Sequence, residues 1–398
     1  LFCAANVASL FLAIPAAHAQ THPTSPTIVL ALDASEAPRK IFHAKETIPI
    51  QAGENIFYYP KWLPGEHGPT GPVADFAGIR FFAGGQEIPW RRDPLDMYTF
   101  HVDVPQGVTS LDVAMDYLSP ALEAGFSSGA SATDQMCVVS WNQLLLYPKG
   151  FKSDDLTYKA SLKLPSGWKF GTSLAVVSQS GEQIDFAPTS LTLLVDSPVL
   201  AGKHFGIVPL APELQPQHEM DIASDSDAAL QMPPDLKQHY DSLVREAGAL
   251  FGAHHYRDYH FLYSLSDHVA HFGLEHHESD DSRVPERSMV DENLRKVTAS
   301  LLPHEYVHSW NGKYRRPVGL ATPEYETPMQ GDLLWVYEGL TEYLGLVLTA
   351  RSELWTPEQF RDNLALISAE YSHRPGRTWR TLEDTAAAAQ TLYEAYPS

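Results

Sequence analysis

The sequence predicts a multidomain protein, an N-terminal all-β sandwich or saddle-shaped domain followed by an α+β domain. Three observations carry this. Period-two alternation and Pro-Gly turns fill residues 25–205, helical periodicity begins only after them, and His304-Glu305-Tyr306-Val307-His308 lies in the helical part. At 398 residues the chain is long enough for a sizeable core in each domain.

Residues 1–19 form an apolar stretch ending in Ala17-His18-Ala19, a small-x-small pattern read as a secretory signal peptide. An initiator Met and a basic n-region are absent, so the sequence is expected to begin inside the precursor. The implied location is the periplasm or the secreted space. Removal of Cys3 with the signal leaves Cys137 alone and an intramolecular disulfide impossible. No later segment has the length of a membrane span. A net charge of -21 argues against nucleic acid or an anionic membrane as partner, because either would repel the chain. Nothing in the sequence sets an oligomeric state.

In residues 25–205, Leu111, Val113, Met115 and Tyr117 alternate with polar residues, as do Leu156, Tyr158, Ala160, Leu162 and Leu164 before the stop at Pro165-Ser166-Gly167. Such half-buried strands predict an antiparallel sandwich or saddle. The period changes after the proline-rich stretch from Pro209 to Pro216, so the second domain is placed at 206–398. Leu236, Tyr240, Leu243, Val244, Ala247 and Leu250 recur at helical spacing between Pro234 and Gly252. A strand is expected at Tyr259 to Leu265. Beyond the histidine-containing helix, a second helix is expected from an Asp332 cap to about Leu354, and Leu334, Trp335, Leu340, Leu344 and Val347 predict that it is buried.

His304 and His308 lie one helical turn apart on one face, so both imidazoles can reach one ion. With Glu338 they make two imidazoles and one carboxylate, the ligand set of a catalytic zinc with an open fourth position, one Zn2+ per chain. Glu305 is then placed to take a proton from the attacking water. Glu342, four residues after Glu338, is expected to accept the free N–H of His304 or His308. Pro303 requires either that the helix begin near Ser300 or that it kink. Nine of the eighteen histidines fall between His254 and His308, and apart from the two ligands most flank aromatic strand residues, which favours packed or surface roles over a second metal site.

With these residues in view, the chain resembles the glycyl aminopeptidase family of zinc peptidases, whose catalytic domain is similar to that of thermolysin and of the aminopeptidase N family. The resemblance rests on His304 to Asn311, Arg315-Arg316-Pro317 and Leu334 to Thr341. Gly273-Leu274-Glu275-His276 and Tyr59-Pro60-Lys61-Trp62-Leu63-Pro64-Gly65 add to it. It implies a thermolysin-like catalytic domain, a PDZ domain beyond Ser398, and a preference for N-terminal glycine and to some extent alanine. It gives Glu275, with Gly273 and Leu274, the task of holding the α-amine of a peptide with a free N terminus. Phe272 stands where the family has a second glycine. The family's oxyanion-stabilising tyrosine has no match in Tyr371, Tyr393 or Tyr396, and is expected beyond Ser398. An endopeptidase of the same fold, or a peptide-binding protein with a structural zinc, are the alternatives.

Overall fold

A computed structural model describes residues 26–121 and 129–391. The signal-peptide reading of residues 1–19, Cys3, Tyr393 and Tyr396 lie outside the described residues.

The amino-terminal domain is a β sandwich. Among the described residues, its larger sheet has nine strands, with Thr27–Asp33, Ile41–Pro49, Ser110–Leu118 and Thr157–Lys163 near its centre. A four-stranded sheet of Tyr147–Pro148, Gly53–Tyr58, Thr99–Val104 and Trp90–Arg92 covers one face. Alternation sends Ile28, Leu30, Phe42, Val113, Tyr117 and Leu162 from one sheet to meet Phe57, Phe100, Val102 and Tyr147 from the other in a single core. Pairing is not antiparallel throughout, because Thr27–Asp33 runs parallel to Thr157–Lys163. Alternation specifies which face is buried and is silent on the direction of a neighbouring strand.

The sheets part between Gly202 and His204. Val199–Gly202 closes a three-stranded sheet with Lys169–Gly171 and Met136–Val139, whereas His204–Leu210 begins a five-stranded sheet of the second domain. Met136, Val138 and Leu200 from one side of this seam pack against Phe205, Ala223 and Leu262 from the other. Pro209, the first residue of the proline-rich stretch, lies inside the strand His204–Leu210, which is an edge strand where a missing N–H is tolerated. Next to it run Gln217–Ser224, Asp258–Leu265 and Ser279–Val284, mutually parallel, and Phe272–Glu275 forms the opposite edge, antiparallel to Ser279–Val284.

Helix Pro234–Phe251 ends at Gly252 in the left-handed conformation, φ 72°. The helix carrying the histidines spans Leu301–His308 and the one carrying the glutamates Leu334–Arg351. The second is shorter than expected and Asp332 does not cap it. Its first turn is entered instead through Leu333, with Leu334 N donating to Gly331 O at 3.0 Å. Nor is it fully buried, since Trp335 and Leu340 are each 43% exposed. The buried stripe is Leu334, Tyr337, Thr341, Gly345 and Leu348, a 3–4 spacing carried partly by Tyr, Thr and Gly. A helix with apolar residues on every side does not announce from sequence which side faces in. No helix among the described residues is long and apolar enough to cross a membrane.

The two site helices cross at Gly345, where an added Cβ would lie 3.0 Å from His304 Cα and 3.2 Å from His304 N. Gly339, on the same helix, has open space there. Gly345→Ala is therefore expected to destabilise by about 1–3 kcal/mol, and Gly339→Ala to stabilise by about 0.5–1 kcal/mol from helix propensity alone. Urea unfolding of both variants checks the pair, and equal signs would refute the close crossing.

Candidate metal centre and active site

The histidine helix starts after Ser300, so Pro303 sits in its first turn, where the missing N–H leaves no hydrogen bond broken. His304 Nε2 and His308 Nε2 are 3.1 Å apart, and each is 3.4 Å from Glu338 Oε2. Donors bound tetrahedrally to zinc at about 2.0–2.1 Å are about 3.3–3.5 Å from one another. The two edges to Glu338 match that spacing and the edge between the imidazoles is about 0.2 Å short of it, so the triangle fits the ion with only a small shift. Each imidazole has its other nitrogen on an acceptor, His304 Nδ1 2.9 Å from Glu342 Oε2 and His308 Nδ1 3.1 Å from the carbonyl of Asn311. Those partners hold the proton on Nδ1 and turn the Nε2 lone pairs inward.

Asn311 is fixed in turn. Its side-chain amide donates to the carbonyls of Val336 and Tyr337 at 3.1 and 3.2 Å and to Thr341 Oγ1 at 3.0 Å, which ties the end of the histidine helix to the glutamate helix.

Glu305 is 4% exposed and lies against the edge strand, where a Cβ on Gly273 would come within 1.9 Å of its Oε1. Only glycine allows that approach. Burial pushes the Glu305 carboxyl well above its ordinary range; His304 opposes this and Glu275, Asp280 and Glu338 add to it. Leu274 and Glu275 follow on the same strand. Glu275 is 3% exposed, which excludes an exposed edge-strand charge, and its Oε1 accepts from the Tyr337 hydroxyl. Burial raises its pKa, but Lys313 and His308 outweigh that and hold it below the usual value. Ligand atoms of Glu275, Glu305 and His308 all lie within 4.8 Å of one another.

Sequence reasoning missed three participants. His67, from the β domain, places Nε2 2.6 Å from Glu338 Oε1. Tyr337 brings a hydroxyl to Glu275, whereas Tyr371 is 64% exposed on the helix Pro357–Ser372. Lys313, with a side chain 2% exposed, pairs with Asp196 at 3.0 Å; Asp196 also accepts from His277 N at 2.8 Å, which pins the chain just past Glu275. The usable signal for His67 was its place two residues after Gly65. Tyr337 stood inside a recognised segment and Lys313 between two of them, and neither carried a signal of its own. Among the other histidines, His260 lies between Asp221 and Glu219, 2.8 and 3.3 Å away; burial lowers its pKa, but Asp221, with Glu219 and Asp258, outweighs that and raises it.

Glu305 also borders a cavity of about 390 Å³ lined by Phe272, Arg283, Val297, Leu301, His304 and Glu342 and not by Glu275.

Residues 30–203 match the family described as "Peptidase M61 N-terminal domain" and residues 297–397 the one described as "M61 glycyl aminopeptidase". Among solved structures, the fold is similar to an aminopeptidase N family protein from Idiomarina loihiensis, with a TM-score of 0.76 and 18% identity over 92% of this chain. The match spans 62% of that protein's chain. An M1 zinc metallopeptidase from Deinococcus radiodurans matches with a TM-score of 0.54 and 15% identity, covering 92% of this chain and 79% of that one. A two-domain M1 zinc metallopeptidase mutant bound to the amino acid L-tryptophan gives 0.52 and 14% over the same shares. At such identities the likeness establishes the fold. No curated protein matches the chain.

Burial raises the Asp196 pKa, but Lys313 and then His276 outweigh it and leave the carboxyl depressed. Its contribution to stability is therefore complete above the unfolded value of about 3.9 and is lost as pH falls through the lower folded value. Lys313→Met is expected to cost about 3 kcal/mol at pH 7, with a smaller loss near pH 3.5 once Asp196 in the variant takes up a proton. Urea melts at the two pH values test this, and an equal loss at both would refute the pairing.

Proposed function

The chain belongs to the M61 glycyl aminopeptidase family, and from that premise we propose that it is a zinc-dependent aminopeptidase releasing N-terminal glycine, and to some extent alanine, from peptides. The observation that carries this reading is a buried Glu275, held below its usual pKa by Lys313 and His308 and within 4.8 Å of Glu305 and His308. A carboxylate so placed pairs with the α-ammonium of a peptide and leaves a blocked or extended terminus unpaired. The wall behind it comes from the β domain. Gly65, at φ +93°, lies so close that a Cβ there would be 2.7 Å from Glu275 Oε2 and 2.6 Å from Leu274 Cδ1. This crowding favours a small first residue and disfavours the endopeptidase alternative, which needs an open cleft at this end.

His304, His308 and Glu338 would hold one zinc ion, which when bound supplies Lewis acidity and lowers the pKa of a bound water to about 7. Glu305 takes a proton from the attacking water and passes it to the leaving amine, a role typically worth roughly 100-fold to 10,000-fold in rate. Gly273 lets the substrate backbone and Glu305 approach the same strand edge. Glu342 and the Asn311 carbonyl hold the imidazoles still while the proton moves. The intact, buried Glu305 speaks against a purely structural zinc, which has no use for a base there. We also propose, from residues 1–19, that the enzyme works in the periplasm or outside the cell.

Glu305→Gln is expected to lower kcat by at least about 100-fold while metal analysis still finds one zinc per chain; full activity would remove the mechanism. Glu275→Ala should lose activity selectively on free-amine peptides relative to acetyl-blocked ones. Assays of short glycyl and alanyl peptides with each variant, with and without a chelator, decide both, and an unchanged substrate profile would take Glu275 out of the site.

A further inference from the structure

The metal-ligating pair of helices belongs wholly to the second domain, yet one oxygen of Glu338 is held from the first. His67 stands on the segment between the strands Gly53–Tyr58 and Phe76–Ala83, in the left-handed region at φ 55°. That conformation is uncommon for a residue other than glycine, although His tolerates it better than most. The backbone is held there by its surroundings. Trp62, five residues earlier, is buried with Leu320, Met329, Leu334 and Tyr337, so the segment is packed directly onto the start of the glutamate helix. Trp62 N also donates to the carbonyl of Tyr325 at 2.8 Å. Gly65 brings the segment against Leu274 and Glu275. The His67 ring then stands edge-on to Tyr337, centroids 5.1 Å apart, and Nε2 reaches Glu338 Oε1 at 2.6 Å.

Glu338 therefore has its two oxygens assigned to different tasks. Oε2 faces His304 and His308, and Oε1 faces His67. A carboxylate with both oxygens free can rotate, or bind a metal through both at once. One with Oε1 already accepting a hydrogen bond offers a single oxygen in a fixed direction. We infer that His67 is a positioning residue for the metal centre: its Nε2–H holds Glu338 in the orientation that presents Oε2 alone, so that the β domain completes the metal site of the other domain. This inference rests on the zinc reading of His304, His308 and Glu338. Hydrogen bonds to ligating groups of this kind are worth typically 10- to 100-fold in metal affinity.

The test is zinc affinity of the whole chain, measured by competition with a chromophoric chelator, for the wild type, His67→Ala and His67→Gln, with the melting temperature of each zinc-free protein alongside. Alanine removes the donor, whereas the glutamine amide restores an N–H of similar reach. The expected result is a 10- to 100-fold weaker zinc affinity in His67→Ala, recovery to within about threefold in His67→Gln, and similar zinc-free melting temperatures. Wild-type affinity in His67→Ala overturns the inference. So does an equal loss in both variants, which would make His67 a ligand in its own right rather than a donor to Glu338. A wild-type chain that binds no zinc at all would remove the metal reading itself, and this inference with it, which separates the two failures.

Discussion

Three carboxylates, Glu275, Glu305 and Glu338, share a few ångströms of protein interior with two imidazoles, and that concentration of negative charge is the constraint round which the rest is arranged. Burying a carboxylate costs several kcal/mol unless its oxygens are bonded or its charge is opposed. Each of the three has a different answer. Glu338, only partly buried, is held well below the usual carboxylate range by His304, His308 and His67. Glu275 stays ionised through Lys313 and accepts from Tyr337. For Glu305 burial, reinforced by Glu275, Asp280 and Glu338, outweighs the opposing His304 and pushes its carboxyl well above the usual range. The proposed roles of ligand, anchor and base thus fall to three residues of one type that differ in environment.

The same constraint explains why the two domains are joined as they are. Lys313 neutralises charge at Glu275 only because Asp196, on the β-domain side of the seam, fixes its position. His67 and Gly65 reach the cleft only because Trp62 is buried against the glutamate helix. The apolar seam of Met136, Val138 and Leu200 with Phe205, Ala223 and Leu262 supplies non-directional cohesion, and the polar contacts set register upon it.

What could be read from the sequence divides along a physical line. The i,i+4 histidines, the alternating strands and the Gly252 stop are local features, and local geometry follows from local spacing. His67 and Lys313 act across 271 and 117 residues of sequence, and no periodicity encodes such a contact. Asp332 has the side chain of a cap but not the backbone position, because the turn at Gly331 admits the chain one residue later. The apolar Trp335 and Leu340 suggested a buried helix, whereas the stripe that is buried runs through Tyr337, Thr341 and Gly345. Two of those three residues are there for contacts a hydrophobicity pattern does not record, a hydroxyl on Glu275 and a gap for His304.

In the aminopeptidase reading, the spacing between Glu275 and Glu305 also bears on how much of a peptide fits between them. Ligand atoms of Glu275, Glu305 and His308 lie within 4.8 Å of one another, and one extended residue advances a chain by about 3.3–3.6 Å. A peptide whose ammonium sits on Glu275 therefore has room for a single residue before its first amide bond comes to Glu305. Two residues would require Glu275 to withdraw, and Gly65 stands directly behind it. In the aminopeptidase reading, release of one residue at a time follows from that distance, and the β domain enforces it by leaving the carboxylate nowhere to move.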